Sequence, residues 1–402
     1  MKNIYRSILG LSMVLLLFSC KKEMPIQNSF VLEADIEGIE GDYLVYYEKN
    51  DNAPDGWLND TLWIKDNKFK FEHAVSDYEM FFINVPKASR VYKVKYGDKE
   101  YTASTKANVN RLWFLAYPGG KIEYKGKMNG YIVDAYPLDA EGINEGIATV
   151  HKAIFPLLDN YNAISVEMST NRELDDEGFK KLQDSSKNIY EQINAIKSSY
   201  IQSHPNTVAA TYFLKDMFYR KELSLDQVKV LYNAFDESKL SGTSFYKEIG
   251  ERLDAIEKTK IGMQAPEIQT THTLDGSEFR LSSLKGNYVL MDYWGLWCGP
   301  CMAEMPKIKE YFSKYSDKNF MVLGVNSGDT NQKWKNAVAE REFNWMHIQT
   351  TKENDLLVPF NVNSFPTKIL IDPEGKIIYN SNNIEEKVDL YQLLDSLFSN
   401  PE

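Results

Sequence analysis

Cysteine is nearly absent: Cys20, Cys298 and Cys301 are the only three in 402 residues. That scarcity excludes the disulfide framework that staples many exported domains. Histidine is scarce too. The five (His73, His151, His204, His272 and His347) are scattered without ligand spacing, so no metal site is expected. An excess of positive charge is missing. The formal charge is −11 at pH 7, which argues against nucleic acid as a partner, because nucleic acid selects basic surfaces. The apolar run Ile8 to Phe18 falls short of the ~20 residues that a membrane-spanning helix needs. No internal repeat is visible.

What is present is bulk and apolar content. A chain of 402 residues is too long for one ordinary domain, and 43% hydrophobic with 13% aromatic residues suffices for packed cores. Lys2 and Arg6 followed by the apolar run form a targeting segment, set apart from the fold. It ends in Leu17-Phe18-Ser19-Cys20, which resembles a bacterial lipoprotein signal cut before a lipidated cysteine. The alternative is an ordinary signal peptide with a chance cysteine. The lipoprotein reading makes 1–19 a signal peptide, 20–28 a polar tether and Cys20 the lipid attachment. Only Cys298 and Cys301 then remain as a possible intramolecular pair.

Residues 29–130 carry short aromatic and β-branched runs, such as Tyr43-Leu44-Val45-Tyr46-Tyr47 and Leu112-Trp113-Phe114-Leu115. Gly, Asn, Asp and Pro punctuate them. The pattern predicts an antiparallel β-sandwich. Its aromatic residues either mark a ligand face or, more simply, fill a core and make cross-strand pairs. Residues 131–258 form the next unit, and from about Asp139 the period is helical. Leu182, Ile189, Ile193, Ile196 and Tyr200 share one face, and Ser224 and Gln227 are spaced as a capping box. His204-Pro205-Asn206 separates two helices. These stripes read as the core of a helical spacer; a peptide groove is the other reading. In 259–400 strands and helices alternate. Strands are predicted near Tyr288–Trp294, Phe320–Asn326, Thr367–Ile371 and Lys376–Asn380. Helices are predicted near Cys298–Lys314, Gln332–Glu342 and Glu385–Phe398. This implies a mixed central sheet with helices on both faces.

The chemistry-bearing stretch is Trp294-Gly295-Leu296-Trp297-Cys298-Gly299-Pro300-Cys301, where a strand gives way to a helix. A thiol at a helix N-terminus meets unpaired backbone N–H groups, and such sites can lower a cysteine pKa from about 8.5 to roughly 3.5–7.5. Cys298 is therefore expected to be the nucleophile and Cys301, one turn inside, the resolving thiol. Pro300 suits the first turn because its missing N–H would be unpaired there. Asp292, an acid inside an apolar strand, needs a reason for being there. Glu304 lies about one helical turn from Cys301. It reads either as a functional acid or as a solvated first-turn acid favoured by the helix dipole.

With those residues in place the stretch resembles the thioredoxin superfamily, in its TlpA/ResA-like branch. Gly262, Ala265 and Pro266, then Gly276, Leu281, Leu284, Lys285 and Gly286, resemble the opening segment shared by that branch and by peroxiredoxins. Glu304 and Pro306 match the TlpA/ResA pattern, and Phe365-Pro366-Thr367 resembles the cis-proline loop. The interval from Cys301 to Pro366 has the excess length of that branch. Residues 29–130 resemble the β-rich domain of unknown function that precedes the thioredoxin domain in many Gram-negative lipoproteins. The resemblance implies a disulfide between Cys298 and Cys301, and Asp292 and Glu304 as the acids that serve Cys301. It further implies a site shaped by Trp297, Gly299, Pro300, Phe365 and a cis Pro366. Typical members carry an uncharged residue at the position of Asp292. Phe365 is larger than the residue thioredoxin has before its proline.

The expected function is a lipid-anchored, periplasm-facing thiol–disulfide oxidoreductase without cofactor. It would reduce disulfides of exported proteins, cytochrome c apoproteins or their assembly factors among them, and be recharged by a membrane-bound electron donor. Two rivals are a thiol peroxidase and a non-enzymatic binding or scaffold lipoprotein acting through the β-rich part. Gly295 stands where the peroxidase pattern resembles Thr-x-x-Cys, which weighs against the first. The intact cysteine pair weighs against the second.

Overall fold

The computed structural model describes residues 28–49, 57–85, 90–96, 99–105, 108–130, 132–171, 173–382 and 388–399. The signal segment, Cys20 and residues 20–27 of the tether lie outside them. Among the described residues no helix is long and apolar enough to cross a membrane.

The first ten strands are β1 (Ser29–Glu37), β2 (Tyr43–Lys49), β3 (Trp57–Trp63), β4 (Lys68–Ala74), β5 (Glu79–Asn84), β6 (Arg90–Tyr96), β7 (Lys99–Thr105), β8 (Arg111–Ala116), β9 (Lys121–Asn129) and β10 (Ile132–Asp139). They form two four-stranded sheets, ordered β10-β9-β1-β4 and β3-β2-β5-β8, with β6 and β7 as a separate hairpin. Alternate residues of β1 (Phe30, Leu32, Ala34, Ile36) point into one apolar core with Leu44, Phe71, Ile83, Phe114 and Tyr124. Two expectations are corrected here. Pairing is not antiparallel throughout, because β1 runs parallel to β9. The chain passes through the whole second sheet before β9 returns to the free edge of β1, so no hairpin dictates its direction. The sheet also extends past residue 130: β10 pairs antiparallel with β9, and its alternating burial is that of a strand.

Six helices follow: α1 (Glu145–Thr170), α2 (Asp176–Ser203), α3 (Val208–Tyr219), α4 (Leu225–Asn233), α5 (Glu237–Leu240) and α6 (Ser244–Lys258). The Ser224–Gln227 capping box is formed. The stripe with Ile189, Ile193 and Tyr200 is buried, but it packs in one cluster with Val109 and Leu115 of the β-rich part. A boundary at 130 therefore cuts through shared packing. Asn144, fully buried ahead of α1, fastens the two parts. Its amide accepts from the Leu115 N–H at 2.7 Å and donates to the Leu115 carbonyl at 3.0 Å.

The last part holds β11 (Gln269–Thr270), β12 (Phe279–Arg280), β13 (Tyr288–Trp294), α7 (Gly299–Lys314), β14 (Phe320–Asn326), α8 (Asn331–Glu340), β15 (Met346–Gln349), β16 (Thr367–Ile371), β17 (Ile377–Asn380) and α9 (Leu390–Phe398). The main sheet runs β15-β14-β13-β16-β17, with β13, β14 and β15 parallel, β16 antiparallel to β13, and β17 antiparallel to β16. Among the described residues, α-helices do not cover both faces. Side chains of α7, α8 and α9 all join the cluster around Leu290, Trp294 and Leu370. The opposite cluster, around Met291, Tyr293 and Ile369, is closed by Ile268, Leu281, Leu284, Leu356 and Phe360 from short or irregular segments. The sheet steps β13 to β14 to β15 in one direction, so two right-handed crossovers put α7 and α8 on the same side. The start predicted for the last helix, Glu385, lies outside the described residues; α9 begins after its N-cap Asp389.

Asn144→Ala leaves both Leu115 backbone groups buried without their partner. It should lower stability by about 1–3 kcal/mol, read as a reduced urea midpoint of the full chain.

Candidate active site

β13 is the central strand, and its period of two sorts the site. Val289, Met291 and Tyr293 face the irregular side, while Leu290 and Trp294 face the helices. Asp292 falls between the latter two and so points toward α7. After Trp294 the chain turns into α7, for which Cys298 is the N-cap. Cys298 and Cys301 are joined in a disulfide with their Cα atoms 5.3 Å apart. The Cys301 N–H donates to Cys298 Sγ at 3.2 Å. That donor and the helix dipole favour a thiolate at Cys298 once the disulfide is reduced. Gly299 and Pro300 complete the first turn, with nothing within 4 Å of where a Gly299 Cβ would stand. Cys301 is not set much deeper than its partner in this oxidised state: the residues are 2% and 4% exposed.

The turn before Cys298 is fastened by groups that sequence reasoning passed over. The Leu296 N–H donates to Asp329 Oδ2 at 2.9 Å, and Asn326 Nδ2 donates to the same oxygen at 2.7 Å. Trp297 Nε1 donates to the Ser327 carbonyl at 2.8 Å, yet the residue is 58% exposed. Its ring meets Phe365 edge-on, centroids 5.1 Å apart, and the Phe365–Pro366 peptide is cis. Trp297 and Phe365 thus make an aromatic rim beside the redox pair. Trp294, by contrast, is fully buried.

Behind the disulfide lies a charged cluster. Asp292 is opposite Lys368 across the β13–β16 pairing, and Lys368 is 5% exposed. Lys368 Nζ is 2.7 Å from Glu304 Oε2 and 3.3 Å from Asp292 Oδ1. Tyr391 of α9 donates to Glu304 Oε1 at 2.8 Å. Asp292 accepts no hydrogen bond through either oxygen. Burial raises its pKa from 3.8 to about 6; the Lys368 charge works against the shift and Glu304 adds to it. Burial opposes the charge of Lys368, but the two carboxylates outweigh it and its pKa is raised. Lys368 and Tyr391 were not foreseen. A lysine inside the buried run Thr367-Lys368-Ile369-Leu370-Ile371 is as anomalous as Asp292 and could have been singled out. Tyr391 carries no such signal.

Among the described residues no three His, Cys, Asp or Glu side chains gather as a metal would require. Burial pushes His151 down to about 3 and His347 to about 4.

A strand-to-helix Cys-x-x-Cys disulfide on a mixed sheet, with a cis-proline ahead of the strand beside it, defines a thioredoxin-like redox domain. A family model described as thioredoxin-like matches residues 286–377. Thiol-disulfide oxidoreductase ResA of Geobacillus kaustophilus is 33% identical over 143 residues, 35% of this chain and 81% of that protein. ResA of Bacillus thuringiensis is 30% identical over 141 residues, 35% of this chain and 80% of the relative. Among solved structures, the thioredoxin domain of a thiol-disulfide oxidoreductase from Bacteroides vulgatus is 31% identical. That match covers 34% of this chain and 97% of that domain, with a TM-score of 0.31. The chain belongs to the TlpA/ResA-like branch of the thioredoxin superfamily, and it is a thiol-disulfide oxidoreductase.

The raised acid has a consequence for stability. An acid with a folded-state pKa above its unfolded one binds its proton more tightly when folded. It therefore disfavours folding once pH exceeds the unfolded value of 3.8, and the penalty is complete above about 6. Asp292→Asn should accordingly be more stable than wild type at neutral pH, by on the order of 2 kcal/mol, and lose that advantage toward pH 4. Urea midpoints of the oxidised proteins across that range would check it; a neutral-pH loss of stability would contradict it.

Proposed function

We propose that the protein is a lipid-anchored reductant of disulfides in exported proteins, working through Cys298-Gly299-Pro300-Cys301. The observation that carries this reading is the sulfur of Cys298 at the α7 N-terminus beside an exposed aromatic rim. An extended substrate segment can lie along the Phe365 backbone next to the cis bond, in a strand-addition mode. Cys298 attacks the substrate disulfide, and Cys301 then resolves the mixed disulfide. The lipid at Cys20 holds the enzyme at the membrane, facing the periplasm. A membrane-bound dithiol donor returns it to the reduced state. Apocytochromes c and their assembly factors are one substrate class that suits such an enzyme.

A thiol peroxidase is disfavoured by the space around Gly295. A Cβ there would fall 2.6 Å from the Ser327 carbonyl oxygen and onto the Trp297 indole, so a threonine has no room without rearrangement.

Cys301→Ser should keep the first half-reaction and lose the second, because a serine hydroxyl does not attack the mixed disulfide at neutral pH. The tagged variant, expressed in its own host, should hold substrates in adducts that thiol reductants dissolve. Cys298→Ser should trap few. A Cys301→Ser variant that traps nothing, with a wild type that does not reduce insulin, would overturn the reading.

Cys20→Ala should move the protein from the detergent phase to the aqueous phase in detergent partitioning. Equal partitioning of wild type and variant would remove the lipid anchor.

A further inference from the structure

Trp113 of β8, His151 and Phe155 of α1, and Tyr212 and Phe213 of α3 line a cavity of about 80 Å³ where the β-rich part meets the helices. The redox chemistry makes no use of it. We propose that this cavity is a binding site for a small neutral ring compound that carries a hydroxyl, a phenol in the simplest case. The hydroxyl lies inward against His151 and Tyr212, and the ring lies between the aromatic walls.

Polar groups without protein partners point to a ligand. His151 is 7% exposed, and none of the described residues hydrogen-bonds to its imidazole. Carbon contacts alone hold the ring. Phe155 stacks on it with centroids 4.9 Å apart, and Phe213 and Trp113 meet it edge-on at 6.2 and 6.3 Å. Burial and the Lys197 charge keep the imidazole neutral, so it offers one N–H donor and one lone pair. The Tyr212 hydroxyl also has no partner among the described residues, and burial with the Asp216 charge keeps it protonated. Buried donors and acceptors left unmade cost stability, and a hydroxyl guest satisfies both residues at once. It donates to the imidazole lone pair and accepts from the Tyr212 O–H.

Charge decides against an ionic guest. On the polar wall Lys197 Nζ lies 3.1 Å from Asp216 Oδ2 and 3.4 Å from Glu222 Oε2, and Arg220 Nε lies 2.7 Å from Asp216 Oδ1. Two cations and two anions already compensate one another. A further ion would bring an unpaired charge into a poorly solvated place, whereas a neutral hydroxyl meets no such penalty.

Size sets the orientation. An apolar cavity of about 150 Å³ encloses benzene. At about 80 Å³ this one takes one edge of a six-membered ring, and the remainder passes out beside Arg220, whose side chain is 57% exposed. The hydroxyl end is the buried end, so a substituent opposite the hydroxyl faces outward and substituents flanking it have no room.

The test titrates phenol into oxidised full-length protein with isotope-labelled isoleucine methyl groups. Ile154 and Ile193, which line the cavity, should shift along one saturable curve, while Ile369 in the redox part should stay still. 4-Methylphenol should bind as phenol does, and 2,6-dimethylphenol should not bind. Benzoate and anilinium, the charged counterparts, should bind at least about tenfold more weakly. His151→Phe keeps a buried ring without its nitrogens, and Tyr212→Phe removes only the hydroxyl. Each should weaken phenol binding by about tenfold. Circular dichroism checks the fold, and Tyr212→Phe carries the comparison if His151→Phe does not fold. No saturable shift at Ile154 and Ile193, benzoate binding as tight as phenol, or an unchanged affinity in a folded variant would each overturn the proposal. None of these outcomes touches the oxidoreductase reading.

Discussion

A buried ammonium between a buried carboxylate and a partly exposed one, beneath the redox helix, is the constraint on which the C-terminal part depends. Moving such ions out of water costs several kcal/mol each, and mutual attraction repays that only with good geometry. The cluster meets the condition unevenly. Glu304 is satisfied twice, whereas Asp292 has a nearby charge and no hydrogen bond. Removing the Lys368 ammonium would leave both carboxylates uncompensated, and breaking a buried pair in that way typically costs about 3–5 kcal/mol. The position of α7 over β13 and β16 is thereby tied to its chemistry, because Glu304 cannot leave Lys368 without cost. Stability forgone at Asp292 is the counterpart of a proton that can move near neutral pH.

The legible part of the site was the part written locally. Cys298, Pro300 and Cys301 sit within one helical turn, so spacing alone places them. Asp292 announced itself as an acid among Leu290, Met291 and Tyr293. The Ser224–Gln227 capping box is likewise contained within four residues. Lys368 escaped because its meaning depends on cross-strand register with Asp292, 76 positions away, and on a helix folding over both. Lysine is also so common on surfaces that one in a strand draws little notice. Asp329 was invisible for the same reason, since its work is to receive the Leu296 N–H from another loop.

The fold shows the same division. Strand and helix positions followed period, but the parallel β1–β9 pairing and the one-sided placement of helices are topological. Neither is encoded in any short window. The shared packing of Asn144, Val109 and Leu115 with the helices shows why a change of period at about residue 139 marks a change of element and not a gap in the core.

The bare face of the main sheet has an evolutionary corollary. It is closed by the β11–β12 hairpin, a short turn at Leu281–Leu284 and an irregular stretch through Leu356 and Phe360, while the cysteines lie on the other side. Irregular surface segments accommodate changes of length far better than packed helices do. New loops can therefore be grafted onto this half, altering what docks there, with the electron-transfer machinery inherited intact.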